Sequence, residues 1–336
     1  MFTHTKILVD KLLQDKEVSN IAISIGRNNS VLGEIYSNGV NDKTLFDMAS
    51  VTKILSVTAI SLILIDKGLL DYNEKISAFF EVPPHYEELR VYHLLTHTMG
   101  IGHKDLTKNG NTYDDIAEHI LSIYDKAPGS DVDYSCPAII LLGKILEKIC
   151  GKRLDALFSE MVAKPLKMER SGFLPDRSEA NLIDSNLLAE NRGIVHDYNC
   201  RYLGGVAGNA GVFSCVQDLT QFVGAMLRDG DPLFSKETMD IASKNHTEGM
   251  SAARGLGFVY VDERYKRTGQ LFPVGSIGHG GYTGTSVFWN RETGLYAIIL
   301  SDATVSIARK YGKERPSQMR LVIENIHNAI KKDLDL

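Results

Sequence analysis

The sequence predicts an α/β protein in which the two ends of the chain build one sheet-containing domain and the middle forms a helical one. Three observations predict it. Strand-like apolar runs stand early, within residues 20–36, and return late, within residues 255–301. The stretch between them is dominated by helix signals, loops and turn residues. Amphipathic helix patterns occupy both extremes of the chain. The expected division is residues 1–70 with 205–336 for the α/β domain and 71–204 for the helical domain, with a cleft between them.

The elements follow in order. A helix is expected over roughly Thr5 to Gln14. The apolar runs Asn20 to Ile25 and Ser30 to Tyr36 flank Gly26-Arg27-Asn28-Asn29, the pattern of a β-hairpin with a longer loop. Met48 to Lys67 is apolar on most faces and is stopped by Gly68, so this helix belongs inside the molecule. Ile116 to Tyr124 and Pro137 to Cys150 read as helices, the second with Pro in its first turn and Gly151 just past its end. Asp218 to Leu227 is a further helix, with Ser214 as an upstream cap. Strands are expected at Gly255 to Val261, Thr285 to Trp289 and Tyr296 to Ser301, and a last amphipathic helix at Ser317 to Lys331.

Composition narrows the function. Of 336 residues 43% are apolar and 24% charged, ordinary proportions for a folded globular chain. A net charge of −5 without a Lys/Arg cluster argues against nucleic acid as a partner. The first sixteen residues mix His4, Lys6, Asp10 and Lys11 with apolar residues, unlike the unbroken apolar core of a secretory signal. Ile54 to Ile65 is interrupted by Ser56, Thr58 and Ser61 and is too short to span a bilayer. A cytoplasmic protein with no membrane partner is therefore expected. Cys136, Cys150, Cys200 and Cys215 are scattered, with no C-x-x-C pair, and read as reduced core thiols. With no H-E-x-x-H, Walker loop or G-x-G-x-x-G, neither a metal nor an organic cofactor is expected. Nothing in the sequence speaks to oligomeric state.

The chemistry-bearing residues start with Ser50-x-x-Lys53. Alone the pair is a weak signal, since a helix cap followed by a solvated lysine gives the same pattern. Here the apolar run begins directly after Lys53, which places its side chain in the interior, and Ser50 stands at the mouth of a buried helix. Positions three apart share a helix face, so the Lys53 nitrogen can reach the Ser50 hydroxyl. Burial would lower the Lys53 pKa and free it to accept a proton, while the helix start favours negative charge at the serine. Tyr134-Ser135-Cys136 stands just before the helix opened by Pro137. Gly278-His279-Gly280-Gly281-Tyr282 leads towards a late strand, its glycines permitting close backbone approach to a ligand. His279 is read as a donor to an oxyanion or carboxylate.

In this order the motifs resemble the serine β-lactamase and penicillin-binding protein superfamily, and most closely its class C-like branch of carboxylesterases, DD-peptidases and D-aminopeptidases. Thr44 to Lys53 is similar to that branch's approach to the nucleophile, and Gly68-Leu69-Leu70-Asp71 to the turn after its helix. His93 to Ile101 resembles its helical-domain signature, and Gly204 to Ser214 its Gly-rich return to the α/β domain. The resemblance implies a β-lactamase-like fold, an antiparallel sheet flanked by helices with a helical domain inserted. It implies Ser50 as nucleophile, Lys53 as the residue that prepares it, and Tyr134 as a proton relay held as a phenolate or strong acceptor. Which of Lys53 and Tyr134 is the base stays open. It further implies an oxyanion hole from the N–H groups of Ser50 and Tyr282, beside the substrate-binding His279, Gly280, Gly281 and Cys136.

Three departures bear on the substrate. Cys136 stands where penicillin-reactive members carry Asn, and a thiol is a poor partner for an acylamide. His279 replaces the Lys of Lys-Thr-Gly and would hold a carboxylate less firmly. Leu300-Ser301-Asp302-Ala303 lacks the Asn-Arg of esterase-like relatives, removing a further anion contact. The expected activity is hydrolysis of small esters through an acyl-Ser50, with a DD-peptidase, D-amino-acid amidase or weak β-lactamase as alternative. A module that binds β-lactams or acyl groups without turnover is the alternative from another class. His97 and Asn209 are expected to be structural, and the pair His196-Asp197 lies in a loop before the Gly-rich return. Cys136 as a nucleophile is disfavoured, because no His lies near it in sequence.

Overall fold

Six consecutive buried residues open the strand Ile21–Arg27 (β1), and this uninterrupted burial shows that the sheet around it is covered on both faces. The computed structural model describes residues 2–28, 30–107, 115–178, 183 and 192–336. The other strands are Ser30–Tyr36 (β2), Phe46–Asp47 (β3), Gly172–Phe173 (β4), Val212–Ser214 (β5), Val259–Tyr260 (β6), Ile277–Gly281 (β7), Thr285–Trp289 (β8) and Leu295–Ser301 (β9). The main sheet is antiparallel with six strands in the order β2-β1-β9-β8-β7-β6, and a small sheet runs β3-β5-β4. The fold is α/β, an antiparallel sheet flanked by helices.

Alternation along β1 and β9 divides the interior. Ile21, Ile23, Ile25, Ala297 and Ile299 face a core closed by the helices Thr3–Gln14 and Pro316–Asp333. Ala22, Ile298 and Leu300 face a larger core. That core also holds the helical run Ala49–Asp66, the helix Val216–Leu227 and the helix Cys136–Cys150. The terminal helices are pinned together by Asp333, whose carboxylate accepts from His4 N, Thr5 N and the Thr5 hydroxyl at 2.8, 2.8 and 2.7 Å.

The expected helix over Met48 to Lys67 forms in three parts: a 3₁₀ turn Ala49–Val51, a π segment Ile54–Thr58 and the α-helix Ala59–Asp66. By length and composition the run Ala49–Asp66 could cross a membrane, but 83% of it is buried inside the protein. The helix Cys136–Cys150 begins as the sequence suggested. The Ser135 hydroxyl accepts from Ala138 N at 3.1 Å, and Gly151 closes it at φ 63°.

Three strand expectations change. The first hairpin extends through Gly26 and Arg27, because both pair with β9 opposite Tyr296 and Leu295. A bulge at Ile25/Gly26 absorbs the irregularity, and Asn29 lies outside the described residues. The strand expected over Gly255 to Val261 shrinks to Val259–Tyr260, since Gly257 sits at φ 79° and Gly255 N turns back to Phe258 O at 3.0 Å. Conversely, Ile277–Gly281 is itself a strand; its glycines masked it from propensity reasoning.

Asp302, in the segment where an anion contact was expected to be missing, does not serve the cleft. Buried at 2% exposure, its carboxylate accepts from Ser19 N, Asn20 N and Asn20 Nδ2 at 2.8, 3.1 and 2.7 Å. It thereby ties the entry of β1 to the exit of β9. Asp302→Ala leaves these part-buried donors without their acceptor and is expected to cost about 2 kcal/mol, read by urea denaturation; a loss below about 0.5 kcal/mol would contradict this role.

Candidate active site

Ser50 is placed by a strained turn. Ala49 before it sits at φ 44°, a left-handed conformation that a non-glycine residue adopts only when its surroundings impose it. The surroundings are on both sides. Asp47 Oδ1 accepts from Ala49 N at 2.8 Å, and Met48 N donates to Val212 O at 3.0 Å. From the other side the hydroxyls of Thr283 and Thr285 donate to the carbonyls of Asp47 and Met48 at 2.8 and 3.1 Å. Gly281 makes this approach possible, since a Cβ there would lie 2.6 Å from Met48 O.

Lys53 is 1% exposed, and three acceptors surround its three donors. Its Nζ donates to Ser50 Oγ at 2.9 Å, to Asn209 O at 2.9 Å and to Cys136 Sγ at 3.6 Å. The Tyr134 hydroxyl donates to Ser50 Oγ at 2.8 Å. The Tyr134 ring lies 4.8 Å from the His97 ring, 6.1 Å from the His279 ring and 5.1 Å from Lys53 Nζ. His97, itself at φ 57°, accepts from Ser135 N through Nδ1 at 3.1 Å and so fixes the loop that presents Tyr134.

The protonation states differ from the sequence expectation. Burial works against the Lys53 ammonium, but the Cys136 sulfur, then Tyr134 and Asp197, outweigh it and hold its pKa above the ordinary lysine value. Burial raises Tyr134, more than Lys53 lowers it, so the resting group is a phenol rather than a phenolate. Cys136 is the group pulled towards its anion. Burial opposes ionisation there, yet Lys53 and a hydrogen bond from His103 bring its pKa down. Sequence reasoning missed His103, because the fold alone brings it from 33 positions upstream to Cys136. It missed the Asn209 carbonyl for a similar reason, since a backbone acceptor leaves no residue-type signal. Asn209 is held in turn by Asp197, whose Oδ1 accepts from its Nδ2 at 2.9 Å.

His279 is buried at 3% exposure on β7. Its Nδ1 faces Gly280 O at 2.7 Å, which can only accept, so Nδ1 carries the hydrogen. Burial, with Lys53 and Arg254 nearby, lowers its pKa well below the usual histidine value. Nε2 is therefore a bare lone pair, buried and unpartnered. The expected donor at this position is instead an acceptor. The Tyr282 hydroxyl donates to Glu314 at 2.7 Å, and Glu314 also pairs with His196 Nε2 at 3.2 Å. Ser50, Tyr134, His279, Gly280, Gly281 and Tyr282 line one cavity of about 590 Å³, and Lys53 and Cys136 lie beneath its floor. Among the described residues no cluster of His, Cys, Asp or Glu could hold a metal, and the four cysteines are free.

The model of the family described as Beta-lactamase matches residues 7–315. Among curated proteins the chain is 28% identical over 283 residues to an N-acetylmuramyl-L-alanine amidase of Bacillus subtilis, covering 72% of this chain and 64% of that protein. It is 27% identical over 311 residues to the esterase EstB of Burkholderia gladioli, covering 78% of each. Among solved structures, EstCE1, a hydrolase with promiscuous acyltransferase activity, superposes with a TM-score of 0.75 at 19% identity, covering 97% of both chains.

The network has a testable pH signature. With Lys53 held as ammonium and Tyr134 as phenol, both hydrogens point at Ser50, and neither group can accept a proton until it has lost its own. Turnover is expected to rise from neutral into alkaline pH. In Cys136→Ser the sulfur whose charge favours the ammonium is gone, which lowers the Lys53 pKa and moves this rise to lower pH. The pH profile of kcat/KM in the two proteins reads it; a shift to higher pH, or none, would refute the assignment.

Proposed function

This chain belongs to the beta-lactamase family, and we propose that it hydrolyses small carboxylic esters through an acyl-enzyme on Ser50. One observation carries the reading: Ser50 Oγ, facing a cavity of about 590 Å³, is the common acceptor of Lys53 Nζ at 2.9 Å and the Tyr134 hydroxyl at 2.8 Å. A hydroxyl held by two proton-carrying groups is poised for activation once either gives up its proton. The likeness to an esterase supports the ester as substrate.

In the proposed cycle the substrate carbonyl lies between Ser50 and β7. The Ser50 hydroxyl proton passes to the deprotonated member of the Lys53–Tyr134 pair as Oγ bonds to the carbonyl carbon. The N–H groups of Ser50 and Tyr282 would receive the developing oxyanion; one such donor contributes on the order of 3 kcal/mol. The C–O bond to the leaving alcohol then breaks, and the stored proton follows it. Water attacks the acyl-serine, its proton retracing the same route, and the carboxylic acid departs. Asn209 and Cys136 keep Lys53 aimed at the serine.

A second reading, an amidase or peptidase, draws on the unpartnered Nε2 of His279, an acceptor suited to a substrate N–H, and on the likeness to an amidase. Intact-mass spectrometry separates the readings. A fluorophosphonate is expected to add once, at Ser50, and benzylpenicillin not at all; a penicilloyl-Ser50 adduct would move the assignment to the peptidase side. Ser50→Ala is expected to lower 4-nitrophenyl acetate turnover by about 10³-fold or more with an unchanged melting temperature. Undiminished turnover in that variant would sink the mechanism. A lasting acyl adduct with no turnover of any ester would replace the enzyme by a binding module.

A further inference from the structure

At the Tyr282 wall of the cavity three segments of the chain meet in a contact that the proposed chemistry does not use. Glu314 stands in the turn between the helices Ala303–Tyr311 and Pro316–Asp333. Its Oε2 accepts from the Tyr282 hydroxyl at 2.7 Å, and its Oε1 pairs with His196 Nε2 at 3.2 Å. The hydrogen bond from His196 holds the Glu314 carboxyl below the usual glutamate range; burial opposes it, and Tyr282 adds to it. A carboxylate can only accept, so His196 Nε2 carries a hydrogen. The His196 and Tyr282 rings lie side by side, their centroids 5.4 Å apart. Thr304, in the first turn of Ala303–Tyr311, donates its hydroxyl to the Tyr282 carbonyl. One short helix thus holds Tyr282 from both its ends, by the backbone through Thr304 and by the ring through Glu314. His196 has a second contact. Its backbone N–H donates to Asp47 Oδ2 at 2.7 Å, and the other oxygen of that buried carboxylate accepts from Ala49 N at 2.8 Å. His196 therefore joins the carboxylate that shapes the turn before Ser50 to the carboxylate that holds Tyr282.

We propose that His196 and Glu314 are positioning residues for the oxyanion hole, a tie that fixes the separation of its two donors, the N–H groups of Ser50 and Tyr282. The proposal rests on the reading of Ser50 as a nucleophile that becomes acylated and deepens it by naming what spaces the donors. Two donors converge on one oxygen only at the right separation, and a misplacement of about 1 Å costs on the order of 100-fold in rate. Glu314 reaches the pair from the exposed surface, where an ion pair adds little to stability. The tie therefore acts on rate and leaves folding almost untouched. It also gives a role to His196, which the sequence placed only in a loop.

The test pairs 2,2,2-trifluoroacetophenone with acetophenone as inhibitors of 4-nitrophenyl acetate hydrolysis. The first bonds its carbonyl carbon to Ser50 Oγ; the hydroxyl proton passes to the deprotonated member of the Lys53–Tyr134 pair, and the carbonyl oxygen becomes an alkoxide in the hole. The second stays a trigonal ketone. Glu314→Ala and His196→Ala are expected to raise the Ki of trifluoroacetophenone and to lower kcat/KM by the same factor, about tenfold or more. The Ki of acetophenone is expected to stay within about twofold of wild type, and the melting temperature unchanged. Glu314→Gln is expected to regain most of the loss, because its amide still offers Tyr282 an oxygen and can donate to the His196 ring. Tyr282→Phe keeps the N–H without the hydroxyl; it is expected to lose as much as Glu314→Ala, and the two together no more than either alone. Where His196→Ala fails to fold, Tyr282→Phe and Glu314→Gln carry the same comparison. Losses below about twofold in Glu314→Ala, or equal weakening of both ketones, overturn the proposal, while ester turnover by the wild type leaves the Ser50 reading standing. A wild type that hydrolyses no ester and binds the two ketones alike removes the Ser50 reading and the tie with it.

Discussion

The burial of one ammonium group is the constraint on which the rest of the site depends. Lys53 is 1% exposed, and a charge so enclosed is tolerable only with every donor answered. One answer is the Asn209 carbonyl, which must be carried close to the helical run by a backbone with almost no side chains. Gly208 shows why, since a Cβ there would stand 3.0 Å from Val57 Cγ2 and against the backbone of Ile139. The Gly-rich return at residues 204–211 is thus the means by which the second half of the chain reaches under the first. The other answers, Ser50 and Cys136, are the residues whose chemistry the ammonium then governs.

Cys136 shows how a change of partner redistributes charge. An amide at this position could hydrogen-bond the ammonium but could not balance it. A thiol can lose its proton, and with Lys53 on one side and His103 on the other it is drawn to do so. The sulfur is thus the group whose ionisation the site favours, while burial holds Tyr134 towards its phenol form. Burial at 3% exposure and the contact with Lys53 keep that sulfur a charge partner. Burial first, and then the positive charge of Lys53 and Arg254, keeps His279 neutral.

Much of this was legible in the sequence, and the limits are physical. The apolar run after Lys53 announced a buried helix, and the i, i+3 spacing put lysine and serine together; the 2.9 Å contact follows from that geometry. The hairpin, the late strands Thr285–Trp289 and Leu295–Ser301, and both terminal helices followed from periodicity. Illegible were the features that depend on where distant segments meet. β7 is a strand despite three glycines because β8 pairs along it and the turn before Ser50 packs against it. The direction of the Lys53 shift could not be read from burial alone, since its sign is set by anionic neighbours separated from it by dozens of residues. The lone pair on His279 is decided by a carbonyl, which no side-chain pattern encodes.

The pairing of β1 with β9 joins Ile21 to Ser301, so an interior seam of the main sheet forms between the first strand made and the last. During synthesis β1 and β2 can form a hairpin early, but the free edge of β1 waits for nearly the whole chain to emerge, and such distant pairings form slowly. Until then Ser50 exists without its opposite wall, because Gly281, Thr283 and Thr285 arrive only shortly before β9. A half-made chain therefore carries Ser50 in a turn that the late strands do not yet brace. The geometry around Ser50 is therefore set last, when the sheet closes and the wall opposite it is in place.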